Sequence, residues 1–406
     1  MTQVANLKGD IEKALMGNKD GSMGSAVKST PLAALRSPPT TKIRRTLKGH
    51  FGKITALHWS GNSRDVVSAS QDGNLLVWNA VTSNKLQSIS LKSSYVMSVG
   101  IEQSKGNMVA CGGLDNLCTV YKLDAPEVAM EMASHDGFLA CIRFLSEEHL
   151  LTSSGDSTIL RWDIEGGRVL DTFAEHAQDA MFICLRPGDP NVFLSGSVDT
   201  TAKIWDIRSP QQSVQTFGGH SSDINSVDFM PECNSSFATC SEDGTCRVFD
   251  MRCYNEVNRF GEQKIKPVAN PNEDGEAIPE SDDEPVEMMT SIAFSRSGRL
   301  LFAGHSDSSL MAFDVLSDKT TPAFTISQAH DGHVSCVGVS PNGDALCTGS
   351  WDTNLKVRNG EGFYDPTTDD RLLVAVLVAR LLISCKRFPH LIARYLPSNS
   401  IGLGLS

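Results

Sequence analysis

Apolar residues in this chain are grouped in short runs that suit β-strands, and polar turns separate the runs. In the first copy of the pattern, runs at 66–70 and 75–78 flank a turn at 71–73. The glycine of that turn supplies the dihedral freedom that tight turns need. A further run at 57–59 follows a Gly-His pair after a short loop. The alternation of short runs with turns predicts consecutive antiparallel strands.

An aspartate in the turn recurs seven times, at steps of 43, 41, 43, 44, 64 and 45 residues. Six residues after each aspartate stands an aromatic residue, except in the last copy, where it is arginine. A period of about 40–45 residues, with Gly-His before and Trp-Asp after, is typical of four-stranded propeller blades. We therefore predict an all-β, seven-bladed propeller, because a single blade cannot bury its own faces. The seven pairs are Asp72/Trp78, Asp115/Tyr121, Asp156/Trp162, Asp199/Trp205, Asp243/Phe249, Asp307/Phe313 and Asp352/Arg358.

The repeats divide the chain into three parts. We expect a short helix and linker over 1–41, the propeller over 42–359, and an atypical C-terminal tail over 360–406. No convincing fourth strand follows Arg358 in the last repeat, so the ring needs a latch. Residues 45–48 have the pattern of a fourth strand. We expect them to pair with strand c of the last repeat, which closes the ring and removes two exposed edges.

A set of polar residues recurs with the repeats. The aspartate lies in a turn beside the core, so its carboxylate needs hydrogen-bond donors. We expect the preceding histidine to donate to it, the serine two residues before it to bridge, and the strand-c tryptophan to join through its indole N–H. The second and sixth repeats have lost both the histidine and the serine, as one coupled network predicts. The copies are His50/Ser70/Asp72/Trp78, His135/Ser154/Asp156/Trp162, His176/Ser197/Asp199/Trp205 and the partial His220/Ser241/Asp243.

These residue types also occur in Ser-His-Asp catalytic triads. Catalysis needs one such site, whereas this set recurs around the ring. The chain also shows no phosphate-binding loop, no nucleophile elbow and no metal-ligand spacing. We therefore expect no catalytic residue, no cofactor and no metal site.

Charge and cysteine content restrict the function further. A net charge of −12 argues against a nucleic-acid partner, which would need a basic face. None of the 11 cysteines belongs to a C-x-x-C pair, so we expect reduced thiols in a cytosolic protein. The N-terminus lacks the apolar core of a secretory signal. No apolar stretch reaches the roughly 18 residues needed to span a bilayer.

Three segments depart from the repeat pattern. The acidic insertion at 261–289 contains four prolines, and we expect a disordered loop there. The N-terminal segment is either a frayed tail or a helix that forms only against a partner helix. The tail 360–406 is an interfacial helix, an additional packing helix, or translation beyond the natural end of the gene. The apolar heptad positions near the N-terminus are Val4, Leu7, Ile11 and Ala14.

One mouth of the predicted ring collects a distinctive set of side chains. Strand a of each blade lines the channel, and alternate residues at its entry share one side. The residue before each repeat aspartate lies in a turn on the same face. Aromatic, methionine and leucine side chains ringed by charges are typical of a binding interface. We predict a partner-binding surface formed by Lys53, Tyr95, Met97, Leu114, Phe138, Asp179, Met181, Asp223, Asn225, Glu242 and Trp351.

Several strings in the repeats are distinctive. They are RRTLKGH (44–50), VSASQDG (67–73), VACGGLDN (109–116), LTSSGD (151–156), SDIN (222–225) and TGSWD (348–352). These strings resemble the β subunits of heterotrimeric G proteins, a WD40 propeller family, and the resemblance covers about 42–359. It implies that the mouth binds the GDP-loaded α subunit and, after its release, effectors. It also implies that the N-terminal helix pairs with a γ subunit through Val4, Leu7, Ile11 and Ala14.

The resemblance further implies a cytoplasmic protein that reaches the inner face of the plasma membrane only through the lipids of its partners. Two other functions stay open. A general WD40 scaffold not coupled to G proteins would have a nucleotide-independent partner. An enzyme using the Ser/His/Asp sets would need a single exposed nucleophile, and no sequence feature suggests one.

Overall fold

The computed structural model describes residues 41–125, 128–231, 233, 235–261, 287–317 and 319–359. These residues form 28 strands, which pair into seven four-stranded antiparallel sheets. The first strands of neighbouring sheets contact one another in a closed circle. The prediction of a seven-bladed propeller is therefore confirmed. The predicted N-terminal helix, most of the acidic insertion and the tail lie outside the described residues.

Each blade consists of strands a to d in chain order, with strand a at the centre. Strand β1 (Lys42–Lys48) precedes blade one. Blade one contains β2 (Ile54–Trp59), β3 (Asp65–Ser70), β4 (Asn74–Asn79) and β5 (Lys85–Ser90). Blade two contains β6 (Val96–Ile101), β7 (Met108–Gly113), β8 (Leu117–Lys122) and β9 (Val128–Ala133). Blade three contains β10 (Leu139–Phe144), β11 (His149–Ser154), β12 (Ile159–Asp163) and β13 (Arg168–Phe173). Blade four contains β14 (Ala180–Leu185), β15 (Val192–Ser197), β16 (Ala202–Asp206) and β17 (Gln215–Phe217).

The remaining blades follow the same plan. Blade five contains β18 (Ile224–Phe229), β19 (Ser236–Ser241), β20 (Cys246–Asp250) and β21 (Asn255–Phe260). Blade six contains β22 (Met289–Phe294), β23 (Leu300–His305), β24 (Leu310–Asp314) and β25 (Phe324–Ile326). Blade seven contains β26 (Val334–Val339), β27 (Leu346–Ser350) and β28 (Asn354–Asn359), and takes β1 as its fourth strand.

The apolar core lies between the faces of adjacent blades rather than in the channel. One cluster joins blade seven to blade one, with Ile54 and Trp78 packed against Cys347 and Leu355. Comparable clusters join five further pairs of blades, for example blades three and four around Phe173. Each blade therefore depends on its neighbours for burial, which is why the repeat works only as a ring.

The predicted latch is confirmed. Strand β1 pairs antiparallel with β28, with Leu47 opposite Leu355 and Ile43 opposite Arg358. The ring is also tied at the centre, where the Ser335 hydroxyl donates to the Ile54 carbonyl at 2.6 Å. Because the last blade is built from both ends of the repeat region, closure depends on contacts between residues some 300 positions apart.

Arg358 occupies the slot that tryptophan fills in three other blades. Only 3% of its surface is exposed, and its guanidinium donates to the Ala329 carbonyl at 3.0 Å. Its Nε atom has no hydrogen-bond partner among the described residues. Burial lowers the pKa of this guanidinium, so the position disfavours the charge it carries.

Arg358→Trp should therefore raise the free energy of unfolding by about 1–3 kcal/mol, because a buried charge is replaced by a well-packed ring. The new indole would also have the Thr348 hydroxyl as an acceptor, as in the tryptophan blades. The urea midpoint measures the gain. Arg358→Lys keeps the charge and should give no gain. A midpoint for Arg358→Trp at or below that of the unmodified chain would contradict the prediction.

The residue after each repeat aspartate has a positive φ in all seven blades, between 60° and 78°. Only Gly73 and Gly244 are glycines; the other five positions carry asparagine, serine or threonine. These residues hold a left-handed conformation that side chains disfavour. The aspartate explains how, since one of its oxygens, Oδ1, accepts the N–H of the residue two positions later in every blade, at 2.7–3.3 Å.

Candidate functional site: the channel mouth and its supporting network

One backbone hydrogen bond, repeated in every blade, builds the mouth. The residue before each repeat aspartate donates its N–H to the carbonyl of the residue just before strand a, at 2.9–3.0 Å. This bond places the two predicted sets of positions side by side around one end of the channel. The bonded pairs are Gln71/Lys53, Leu114/Tyr95, Gly155/Phe138, Val198/Asp179, Glu242/Asp223, Ser306/Met288 and Trp351/His333.

The predicted residues form the rim or line the channel, and Glu242 and Trp351 do both. The channel has a volume of about 980 Å³. The rim exposes large apolar side chains, with 58% of Tyr95, 54% of Leu114 and 40% of Trp351 accessible. Those that line the channel are Met97, Met181, Asn225, Glu242 and Trp351. The bonded pairs place Lys53, Tyr95, Leu114, Phe138, Asp179 and Asp223 on the rim.

Trp351 is held between two side chains at the junction of blades seven and one. The His333 ring stacks on it, with centroids 4.4 Å apart and an interplanar angle of 27°. The Lys53 ammonium lies 3.8 Å from the Trp351 centroid, within cation–π range. The indole is therefore exposed but fixed in orientation, which lowers the entropy that a partner must remove on binding.

Charge is distributed unevenly around the rim. Blades four and five contribute Asp179, Asp223 and Glu242, whereas Lys53 lies beside Trp351 on the opposite arc. The arc through blades two and three carries the apolar side chains of Tyr95, Leu114 and Phe138. The mouth thus suits a partner that presents an apolar patch next to basic residues.

Polar side chains just inside the mouth tie neighbouring blades together. The Thr55 hydroxyl donates to the Val96 carbonyl at 2.7 Å, and the Asn225 amide donates to the Met289 carbonyl at 3.0 Å. Asn225 was predicted as a partner contact, and the structure gives its side chain this bond within the ring. The mouth therefore rests on strands whose spacing is fixed by side chains.

A hydrogen-bonded chain supports the turns of the mouth. In blade one, His50 Nδ1 lies 3.0 Å from Asp72 Oδ2, and Nε2 lies 2.8 Å from the Ser68 hydroxyl. The Trp78 indole donates to the same hydroxyl at 2.9 Å. Burial lowers the pKa of His50, which favours the neutral imidazole. Because the carboxylate can only accept, the ring proton is on Nδ1, and Nε2 accepts the Ser68 O–H.

The structure corrects the predicted bridging serine. Ser70, Ser154, Ser197 and Ser241 are the last residues of strand b, and each accepts a bond from the N–H of the repeat aspartate. The bridging hydroxyl instead lies two residues earlier in strand b. The reason is the register of the two strands. Trp78 is opposite Val66, so its indole reaches Ser68, which is two residues from Val66, but not Ser70, which is four residues from Val66. The bridging hydroxyls belong to Ser68, Thr152, Ser195, Thr239 and Thr348.

The same correction applies to the tryptophans of blades three and four, whose predicted serine partners were wrong. The Trp162 indole donates to the Thr152 hydroxyl at 2.8 Å. The Trp205 indole donates to the Ser195 hydroxyl, also at 2.8 Å. Trp162 and Trp205 are 1% and 0% exposed, and each packs into an apolar cluster between blades. Both tryptophans therefore belong to the core as well as to the network, and neither is accessible to a partner.

A fifth copy of this network lies in blade seven, which the sequence analysis did not include. His330 bonds Asp352 and Thr348, both at 2.8 Å. The available signal was spacing, since His330 precedes Asp352 by the same 22 residues that separate His50 from Asp72. It follows Ala329, whereas glycine precedes the histidine only in the copies of blades one and five.

Blade five keeps the network without tryptophan. The His220–Asp243 pair is 2.9 Å apart, and the buried Arg247 lies 3.6 Å from the same carboxylate. Arg247 in turn bonds Glu256 at 2.8 Å. In the blade that has Phe249 in place of tryptophan, Asp243 thus has an ion pair with Arg247 in addition to its bond with His220.

The prediction also missed Met288, the blade-six member of the rim, which is 39% exposed. Blade six has no lead-in histidine from which to count. The position could have been found by counting back, because the rim residue precedes its repeat aspartate by 18–20 residues in every blade.

The buried networks make stability depend on pH. Burial lowers the pKa of four network histidines below the usual 6.5, although the bonded aspartate opposes this. For the aspartates, burial raises the pKa, but hydrogen bonds to the main chain and to histidine outweigh it and lower the pKa overall. The histidines are His50, His135, His220 and His330.

Lowering the pH from 7 to 5 should therefore destabilise the ring. Below 6.5 the unfolded chain binds protons that the folded histidines do not, so the free energy of unfolding falls as pH drops. The slope is up to about 1.4 kcal/mol per pH unit for each histidine, and full stability is kept above 6.5. A second loss follows below about 3.9, as the carboxylates protonate. Urea midpoints between pH 8 and pH 5 measure the effect, and a flat profile would contradict it.

The chain also matches known proteins. The model of the family described as G protein beta WD-40 repeat protein matches residues 5–359. The chain is 40% identical to the guanine nucleotide-binding protein subunit beta of Solanum tuberosum over 328 residues, which cover 77% of this chain and 82% of the relative. The chain belongs to the G protein β family. Subunits beta from Arabidopsis thaliana and Zea mays are 40% and 39% identical, with the same coverage.

The match to the G protein β family covers all the residues that the structure describes. The family match ends at residue 359, which is also the last residue of β28. The predicted γ-binding residues Val4, Leu7, Ile11 and Ala14 lie outside the described residues. Among the described residues, no helix has the length and apolar character to span a membrane.

Proposed function

We propose that this chain is the β subunit of a heterotrimeric G protein, which binds a γ subunit and the GDP-bound α subunit and transmits receptor signals. Effectors bind the same mouth once the α subunit has left. The observation that carries the proposal is the exposed, clamped Trp351 on a complete rim in a chain 40% identical to named β subunits.

The geometry supports a passive mechanism. The rim is set by seven main-chain bonds and by side-chain ties between strands, so it is a preformed surface. A preformed surface favours whichever conformation of the partner is complementary to it. The GDP form of the α subunit fits the rim, and GTP reshapes the α-subunit switch so that the fit is lost.

The role proposed for the Ser/Thr-His-Asp sets is structural rather than catalytic. Their hydroxyls are buried and each is committed to both an imidazole and, in three blades, an indole. Such groups stabilise turns and are inaccessible to a substrate. We further propose that γ pairing involves the N-terminal heptads and that partner lipids bring the complex to the inner face of the plasma membrane.

Binding to a purified α subunit in two nucleotide states tests this function. The full chain, co-expressed with a γ subunit, should bind the GDP-loaded α subunit at least 100-fold more tightly than the same protein with a non-hydrolysable GTP analogue. Calorimetry or biolayer interferometry measures both. Equal affinity in the two states, or no binding, would replace the proposal with a general WD40 scaffold.

A further inference from the structure

Blade six differs from the others at the turn of its repeat aspartate. In five blades, Oδ2 of that aspartate accepts two hydrogen bonds. One comes from Nδ1–H of the network histidine, and the other comes from the main-chain N–H of the residue that follows this histidine. In blade six the described residues contribute no such histidine before strand a. Instead, two further ligand-type side chains, Glu287 and His305, lie beside Asp307.

The register of the fold explains how these three side chains come together. His305 pairs with Met289, the first residue of strand a in blade six. In blades five and seven, the residue that pairs with the first residue of strand a is a serine. In those blades the serine hydroxyl donates to the carbonyl two residues before strand a, at 3.0 Å. In blade six, the residue two before strand a is Glu287.

The Glu287 position also faces the aspartate turn. In three blades it is glycine, and a Cβ there would lie 2.5–3.1 Å from the N atom of the repeat aspartate. A glutamate in this place has its side chain next to the turn. Ligand atoms of Glu287, His305 and Asp307 accordingly lie within 4.8 Å of one another.

A fourth side chain adds an independent indication. Ser309 occupies the position whose hydroxyl donates to the repeat aspartate at 2.6 Å in blades three, four and five. Ser309 is 3% exposed, and its hydroxyl has no hydrogen-bond partner in the part of the chain that the structure describes. A buried polar group at the aspartate turn is left for a ligand or its bound water to satisfy.

We propose that Glu287, His305 and Asp307 bind a divalent transition-metal ion, with Zn²⁺ as the best fit. One imidazole and two carboxylates form a ligand set that suits Zn²⁺, leaving a position for water. Ligands at about 2.1 Å from one ion lie roughly 3.4 Å apart. His305 is buried in β23, whereas the two carboxylates are exposed, so binding closes the three ligands around the ion mainly by movement of the carboxylates.

The site joins the start of β22 to the b–c turn, so an ion there links the two parts of the blade-six rim, Met288 and Ser306.

Titration of the full chain, purified without a histidine tag, with Co²⁺ tests the proposal. The visible absorption of Co²⁺ reports its coordination geometry and nitrogen ligation. One equivalent should bind, and Zn²⁺ should displace it and raise the melting temperature.

Two variants make the result specific. His305→Ser installs the residue of the other blades, and Asp307→Asn keeps an oxygen for the turn; each should weaken Co²⁺ binding at least tenfold. His149→Gln removes a histidine from blade three and should leave binding unchanged. Absence of saturable one-to-one binding, or binding that survives His305→Ser, would overturn the proposal. Because no α subunit is present, this outcome is independent of the proposed signalling function.

Discussion

Replacing Trp351 with alanine should weaken binding of the GDP-loaded α subunit by about 100-fold, or about 2.7 kcal/mol. The indole is exposed at the rim, yet the His333 ring stacks on it and the Lys53 ammonium contacts it. A large ring that is already ordered costs little entropy to bury, and such residues dominate interfaces. Affinity is measured on the β–γ pair, after circular dichroism has shown that the variant is folded.

Two comparisons separate this effect from general loss of apolar surface. Val214 is 55% exposed beside the outer strand of blade four, so Val214→Ala should leave affinity unchanged. His333→Ala keeps the indole but removes the ring stacked on it, and should cost about tenfold through lost ordering. Equal losses for Trp351→Ala and Val214→Ala would show that the mouth is not the contact surface.

Ser68→Ala should destabilise the protein by about 2–4 kcal/mol, whereas Ser70→Ala should cost about 1 kcal/mol or less. Both hydroxyls are fully buried in the same strand. Ser68 accepts from Trp78 and bonds His50, so its loss leaves two buried groups unsatisfied. Ser70 accepts one long bond, 3.3 Å, from the Asp72 N–H.

The pair of variants is closely matched, because each removes one hydroxyl from a buried serine on the same face of β3. Urea unfolding gives the difference in free energy. Equal effects would assign the bridging role to both serines. The reverse order would restore the prediction made from the sequence.

The sequence was sufficient for the fold because the information is repeated. Seven aspartates, with all steps but one at 41–45 residues, fix the number of blades, and the turn geometry then places the rim. Asp115 and Asp307 remained in blades that lost the histidine, and the structure supplies the reason: Oδ1 is needed for the turn itself. The network with histidine therefore uses only the other carboxylate oxygen, Oδ2.

Contacts that depend on the pairing register of strands could not be predicted from the spacing of residues in the sequence. Ser68 and Ser70 share one face of a strand, and only the offset between β3 and β4 decides which one meets the indole. The clamp on Trp351 unites residues from blades one and seven, which no local pattern brings together. His305 was noted only as a missing serine, although its pairing with Met289 places it beside two carboxylates.

The pairing of β1 with β28 also has a consequence during synthesis. Residues 42–48 are the first strand of the ring to leave the ribosome, but their partner, 354–359, is the last. Until then β1 is an unpaired strand and the first and last blades lack one neighbour each. Such long-range closure is slow and leaves apolar edges open to aggregation. The nascent chain therefore has to be protected for the whole time that the intervening blades take to be translated.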